Sequence, residues 1–179
     1  MILSKWFVNN IHFNTLSDLL SFLTNPSNLP YLTKFTHVHI WFTEFIPVKL
    51  VEEGGEIKIQ GVDVDAVSEL ILTHAPAVSA YCRHGGVVRA VIDEWGTPVS
   101  REHVLNWAPY VPVYATSSDF LLIDTRVLRE LVNMWNSIPN PPGLADDYLI
   151  TYKLRKLGYE PILNVNVVCL RVVEELKLS

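Results

Sequence analysis

Two acidic clusters carry the clearest chemical potential in this chain: Asp63-Val64-Asp65 and Asp146-Asp147. Carboxylates at i and i+2, at the end of an apolar run and ahead of a helix, can place oxygens beside a hard cation such as Mg²⁺ or Mn²⁺. A cation held there can bridge protein to a diphosphate. The same spacing also suits a turn in which Asp65 caps the following helix. Asp146-Asp147 follows a Pro/Gly loop and opens a helical pattern, where acidic residues complement the helix dipole. It could equally supply a carboxylate general base with a helix fixed beneath it.

Other groupings carry less. His37 and His39 alternate on a strand and share a face, so a metal pair is conceivable, but no clear third ligand accompanies them. Arg83-His84-Gly85-Gly86 follows a strand and reads as a turn, since it fits neither a P-loop nor a dinucleotide fingerprint. Thr43-Glu44-Phe45 rivals Asp63-Val64-Asp65 for a metal position but offers one carboxylate. Cys82 and Cys169 have no metal-ligand spacing and suit a reducing compartment; Cys82, in an apolar run, reads as a core residue. No Ser/His/Asp or Cys/His grouping has a local signature.

The elements that position these residues follow from periodicity and punctuation. Trp6–Val8 reads as a strand. Leu16, Leu19, Leu20 and Leu23 recur at helical spacing behind Asn14 and Thr15, either of which can cap, and Asn25-Pro26 closes the helix. Val38–Phe42 is β-branched and aromatic, and Gly54-Gly55 is a hairpin turn between Val48–Val51 and Ile57–Ile59. Val67, Leu70, Ile71 and His74 give a helix ended by Pro76. Strands are expected at Val78–Tyr81, Val87–Ile92, Val111–Tyr114, Phe120–Ile123 and Pro161–Leu170. Asp124 or Thr125 caps a helix with Val127, Leu128, Leu131 and Trp135 on its apolar face. A final helix runs from Asp146 through Ile150, Leu154 and Leu157 to a Gly158 stop. Alternation of this kind predicts a single-domain α/β/α sandwich around a mixed, mostly parallel sheet.

Taken in order, Asp63-Val64-Asp65, Val78–Cys82, Ala115–Ile123 and Asp146–Tyr159 resemble the GT-A fold glycosyltransferases, particularly the family 2-like group. The likeness covers roughly residues 57–168 and is best from Asp146 to Tyr159. It implies a single GT-A-like domain over 1–179, with a shortened nucleotide-binding half (1–65) and an acceptor-binding half (66–179). It further implies that Asp63 and Asp65 hold Mn²⁺ or Mg²⁺ and the nucleotide diphosphate. Asp147 would be the catalytic base, with Asp146 orienting it or binding the acceptor. Ser118 and Asp119, with Trp95 and Trp107 in the variable segment, would contact the acceptor. The implied donor is a nucleotide-diphosphate sugar and the acceptor a hydroxyl on a glycan, lipid or protein, with inversion at the anomeric carbon. The chain departs from the pattern at Leu149, where an acid is usual, at Lys153, where Arg is frequent, and near Ser118, where a glycine is missing. These departures keep two alternatives open: a non-catalytic nucleotide- or partner-binding module on the same scaffold, and a nucleotidyltransferase.

Composition bounds the rest. Over 179 residues the chain is 49% hydrophobic and 18% charged, which excludes disorder and suits one globular domain. A formal charge of −5 argues against a nucleic-acid backbone binder. Val111–Ile123 is too short and too polar to span a bilayer, and Met1–Asn10 lacks the apolar centre of a secretory signal. The expectation is a cytoplasmic protein without a transmembrane segment.

Overall fold

A computed structural model describes residues 4–172; the ends of the expected 1–179 domain, and Met1–Leu3 of the Met1–Asn10 segment, lie outside the described residues. The strands are Trp6–Val8 (β1), Ile11–Phe13 (β2), His37–Phe42 (β3), Phe45–Glu53 (β4), Glu56–Val62 (β5) and Ala77–His84 (β6). Val87–Val88 (β7), Ala90–Val91 (β8), Tyr110–Pro112 (β9), Ala115–Thr116 (β10), Phe120–Asp124 (β11) and Ile162–Arg171 (β12) complete them. The α-helices are Leu16–Thr24 (α1), Leu29–Leu32 (α2), Ala66–Ile71 (α3), Arg101–Trp107 (α4), Thr125–Met134 (α5) and Leu149–Lys156 (α6).

One sheet orders its main strands β2-β1-β3-β11-β6-β12-β4-β5, with β7 beside β6 and β9 beside β12. Among the described residues only β6 and β12 pair in parallel; the other pairs in this sheet are antiparallel. The expected mostly parallel sandwich is therefore corrected to a mixed α/β fold on a mostly antiparallel sheet. Short connections are the reason. Asn9-Asn10, with Asn9 at φ 52°, and Gly54-Gly55, at φ 62° and 81°, turn the chain within two residues, and such turns join only antiparallel neighbours. The two expected halves also interleave, since β3 lies against β11 and β4 against β12.

Helices bury their stripes on both sheet faces. Leu19 and Leu23 of α1, Leu128 and Leu131 of α5, and Ile150 and Leu154 of α6 share a core with Val8, Ile40, Leu121 and Ile123. On the opposite face Ala66 and Leu70 of α3 pack with Phe45, Ala80, Cys82, Phe120 and Cys169. Each of these large side chains removes enough apolar surface to contribute about 1.5–3 kcal/mol. The caps are local: Thr15 accepts from the Asp18 N–H at 3.1 Å, and Asp124 accepts from the Arg126 N–H at 2.9 Å. Gly158 ends α6 at φ 96°, a left-handed conformation that glycine adopts without strain. Among the described residues no helix is long and apolar enough to cross a membrane.

Candidate functional site

The link between β10 and β11 is fully buried, with Thr116, Ser117, Ser118 and Asp119 each at 1% exposure or less. Its backbone is tied on both sides. The Thr116 N–H donates to Thr151 Oγ1 at 2.9 Å and Thr151 Oγ1 donates back to the Thr116 carbonyl at 2.8 Å. The Ser117 N–H donates to the Arg89 carbonyl at 3.0 Å. Ser118 gives both its N–H, at 2.8 Å, and its hydroxyl, at 2.9 Å, to the carbonyl of Asp147. Asp147 is thereby fixed to the sheet through its backbone carbonyl.

Arg89 stands between β7 and β8 and closes the arrangement. Its Nε donates to Asp119 and its Nη2 to Asp147, with a second contact from Nη2 to Asp119 Oδ1 at 3.4 Å. Ser117 Oγ donates to Asp119 Oδ2 at 2.6 Å. The guanidinium lies 5.5 Å from the Phe45 ring centre and 6.0 Å from that of Tyr148, so aromatic faces enclose the charges. One cation thus serves two carboxylates in a place of low solvent access. The carboxylate of Asp119 is closed to solvent, and that of Asp147 is 15% exposed.

The electrostatics follow from that geometry. Burial lifts the Asp147 carboxyl above its ordinary range; Arg89 draws it back and Asp119 adds to the lift. Burial opposes the charge on Arg89, yet the carboxylates of Asp119 and Asp147 hold its proton more tightly than usual. Burial raises the Tyr148 phenol to about 12, against the pull of Arg89. Cys82 lies under this cluster with Cys169 beside it in register on β12, and burial pushes its thiol well up, which makes it an inert core residue.

The remaining expected site residues fall elsewhere. Asp146 and Asp147 form a 3₁₀ turn with Tyr148 ahead of α6, and Asp146 points to solvent. Ser118 and Asp119 are spent on Asp147 and Arg89 and form a scaffold closed to any acceptor. Trp95, 85% exposed, lines a cleft of about 500 Å³ with Tyr114, Tyr152, Lys156 and the Pro139–Leu144 loop. Trp107 is exposed on α4, which packs against β9, and lines no part of that cleft. Leu144, Tyr148 and Tyr152 pack together with Val91 and Ala115, so the Trp95 cleft adjoins the Asp147 turn.

Asp63 and Asp65 stand apart from this cluster, where β5 turns into α3. Asp63 Oδ1 accepts the Asp65 N–H at 3.1 Å, and Asp65, 64% exposed at its side chain, sits 4.0 Å from Lys49. As they stand they form a turn bonded to itself and a lysine pair, and do not fit as a cradle for Mn²⁺ or Mg²⁺. Among the described residues no group of three or more His, Cys, Asp and Glu is placed to hold a metal ion. Glu44 is engaged by Ser4 Oγ at 2.6 Å and by Arg171 Nε at 2.7 Å. His37 meets Thr36 Oγ1 at 3.0 Å, while His39 turns into a separate pocket. Arg83–Gly86 is the turn expected, with Gly85 and Gly86 at positive φ.

Arg89, Ser117 and Tyr148 are the residues that sequence reasoning missed. The one signal was a lone arginine inside the apolar run Val87-Val88-Arg89-Ala90-Val91-Ile92, because a charge placed in a buried strand calls for a buried counter-charge. No family model, curated protein or solved structure matches this chain.

Proposed function

We propose that this chain is a nucleotide-sugar-dependent glycosyltransferase in which Asp147 is the catalytic base. The observation that carries the reading is the setting of Asp147 at the start of α6. Its carbonyl is pinned by Ser118, and its carboxyl is held beside Arg89 and raised by burial. The resemblance of Asp146–Tyr159 to the acidic helix of GT-A enzymes supports the same role.

The chemistry follows from these groups. The Asp147 carboxylate accepts the proton of an acceptor hydroxyl as that oxygen attacks the anomeric carbon and the bond to the departing nucleoside diphosphate breaks on the opposite face, so one displacement inverts the configuration. A lifted pKa makes it a stronger base than an exposed aspartate. Arg89 fixes the carboxylate's direction and offsets the charge of Asp119, so one anion of the pair remains to work against. The Trp95 cleft, with its aromatic walls and Pro/Gly loop, is a place for a sugar face to stack.

A second reading is favoured by the same ion pairs. Arg89 engages both Asp119 and Asp147, and such a closed network suits a non-catalytic binding module equally. A thermal-shift series with nucleoside diphosphates, with and without Mn²⁺, tests the enzyme reading through donor binding. A rise in melting temperature with a nucleoside diphosphate is expected. No rise with any nucleotide contradicts the transferase.

A further inference from the structure

Strand β5 ends the sheet beside β4, and every residue of Glu56–Val62 is exposed. Such an edge offers unpaired N–H and C=O groups to another strand. Ile57 is 75% exposed and Ile59 47%, and Leu50, opposite Ile59 on β4, is 39% exposed. Side chains alternate between the faces of a strand, so these three share one face and leave an apolar patch beside the free edge. The other face carries charge. Glu56 lies directly opposite Glu53, a like-charge pair. Lys58 stands 3.5 Å from Glu53, and among the described residues Glu56 has no cationic partner.

The turn decides which groups the edge presents. Gly54-Gly55 joins β4 to β5 in two residues, which makes Glu53 and Glu56 the hydrogen-bonded closing pair. Alternation then turns the N–H and C=O of Ile57 and Ile59 away from β4. The ladder is regular from Glu56 to Ile59 and slips at Gln60, which has no partner on β4.

We propose that β5 is a self-association edge, pairing antiparallel with β5 of a second copy about a two-fold axis at Ile57. A parallel, in-register pair sets Glu56 on Glu56 and Lys58 on Lys58. Among antiparallel registers that match the outward groups, Ile57 opposite Ile59 brings Lys58 against Lys58, and Ile59 opposite Ile59 runs across the slip at Gln60. Ile57 opposite Ile57 stays within the regular stretch and sets Glu56 against the partner's Lys58 twice. It also joins the two apolar patches along one face. The contact is isologous and closes at two copies. It is separate from Arg89 and Asp147 and does not depend on the transferase reading.

Sedimentation equilibrium of the full chain at up to about 1 mM tests this. Wild type should show a monomer–dimer equilibrium, weak because two short strands bury less than the roughly 1,600 Å² of a standard interface. Lys58→Glu and Glu56→Lys, both at exposed positions, should each weaken it by about tenfold or more, because each sets like charges opposite. An equal mixture of the two variants should associate again as a heterodimer, and the double change Glu56→Lys with Lys58→Glu should restore the homodimer, since both recreate opposite pairs. Monomeric wild type at 1 mM overturns the proposal. So does undiminished association of Lys58→Glu, or a mixture no tighter than either variant alone.

Discussion

Acidification tests the burial of His39. The ring stands edge-on to Phe120, and desolvation alone depresses its pKa from 6.5 to about 4. In the unfolded chain the imidazole titrates near its ordinary value. Above that value it is neutral in both states, and the stability it permits is fully present. As the pH falls, the unfolded chain takes a proton that the native state refuses, so stability is lost until the folded pKa is reached. Between about pH 7.5 and about pH 4 that linkage amounts to about 3 kcal/mol. Urea unfolding of wild type and His39→Phe across this range isolates it, because carboxylates common to both chains cancel in the difference. The phenyl ring keeps the aromatic shape and removes the titration. Wild type should lose about 3 kcal/mol more than the variant. Parallel pH profiles for the two would refute the buried, neutral imidazole.

Arg89→Met leaves Asp119 and Asp147 as unpaired like charges, and should cost about 3–5 kcal/mol in urea unfolding. The double change Arg89→Met with Asp119→Asn should recover part of that loss. Cys82 and Cys169, buried side by side with a raised thiol at Cys82, should react with a disulfide reagent only at the rate of unfolding. Prompt reaction in native buffer would place them at the surface. Thr151→Val removes both bonds to Thr116 in a buried place and should cost about 1–3 kcal/mol, read from the same melts. Loss of the tie should also slow any turnover, because it holds α6 against β10.

What was legible in the sequence is what is local. Trp6–Val8, the Thr15 cap, the Gly54-Gly55 turn and the Gly158 stop each depend on a few adjacent residues, and all stand where the chain indicates. Sheet direction depends on partners far apart, such as Ala77–His84 with Ile162–Arg171, and alternation of strands and helices does not encode it. The expected strand Val87–Ile92 breaks at Arg89, whose side chain turns inward to two carboxylates brought from the β10–β11 link and the Asp146–Tyr148 turn. Helix α4 was invisible because it buries none of its residues and so carries no apolar stripe; only Ser100, its cap, marks it. At the site, Asp147 was readable from the acidic pair before a helix. Arg89 and Ser117, which make its environment, come from distant segments with no shared spacing.

The central claim is that Asp147 takes the acceptor proton, and steady-state turnover of Asp147→Asn measures it most directly. The assay follows nucleoside diphosphate release from a panel of nucleotide sugars with and without hydroxyl acceptors, beside a melting curve for each protein. Asparagine keeps the size of the side chain and a contact to Arg89 but cannot accept the proton. The account predicts turnover lowered by roughly 10²–10⁴-fold with nucleotide affinity nearly unchanged. Full turnover in a folded Asp147→Asn would contradict it.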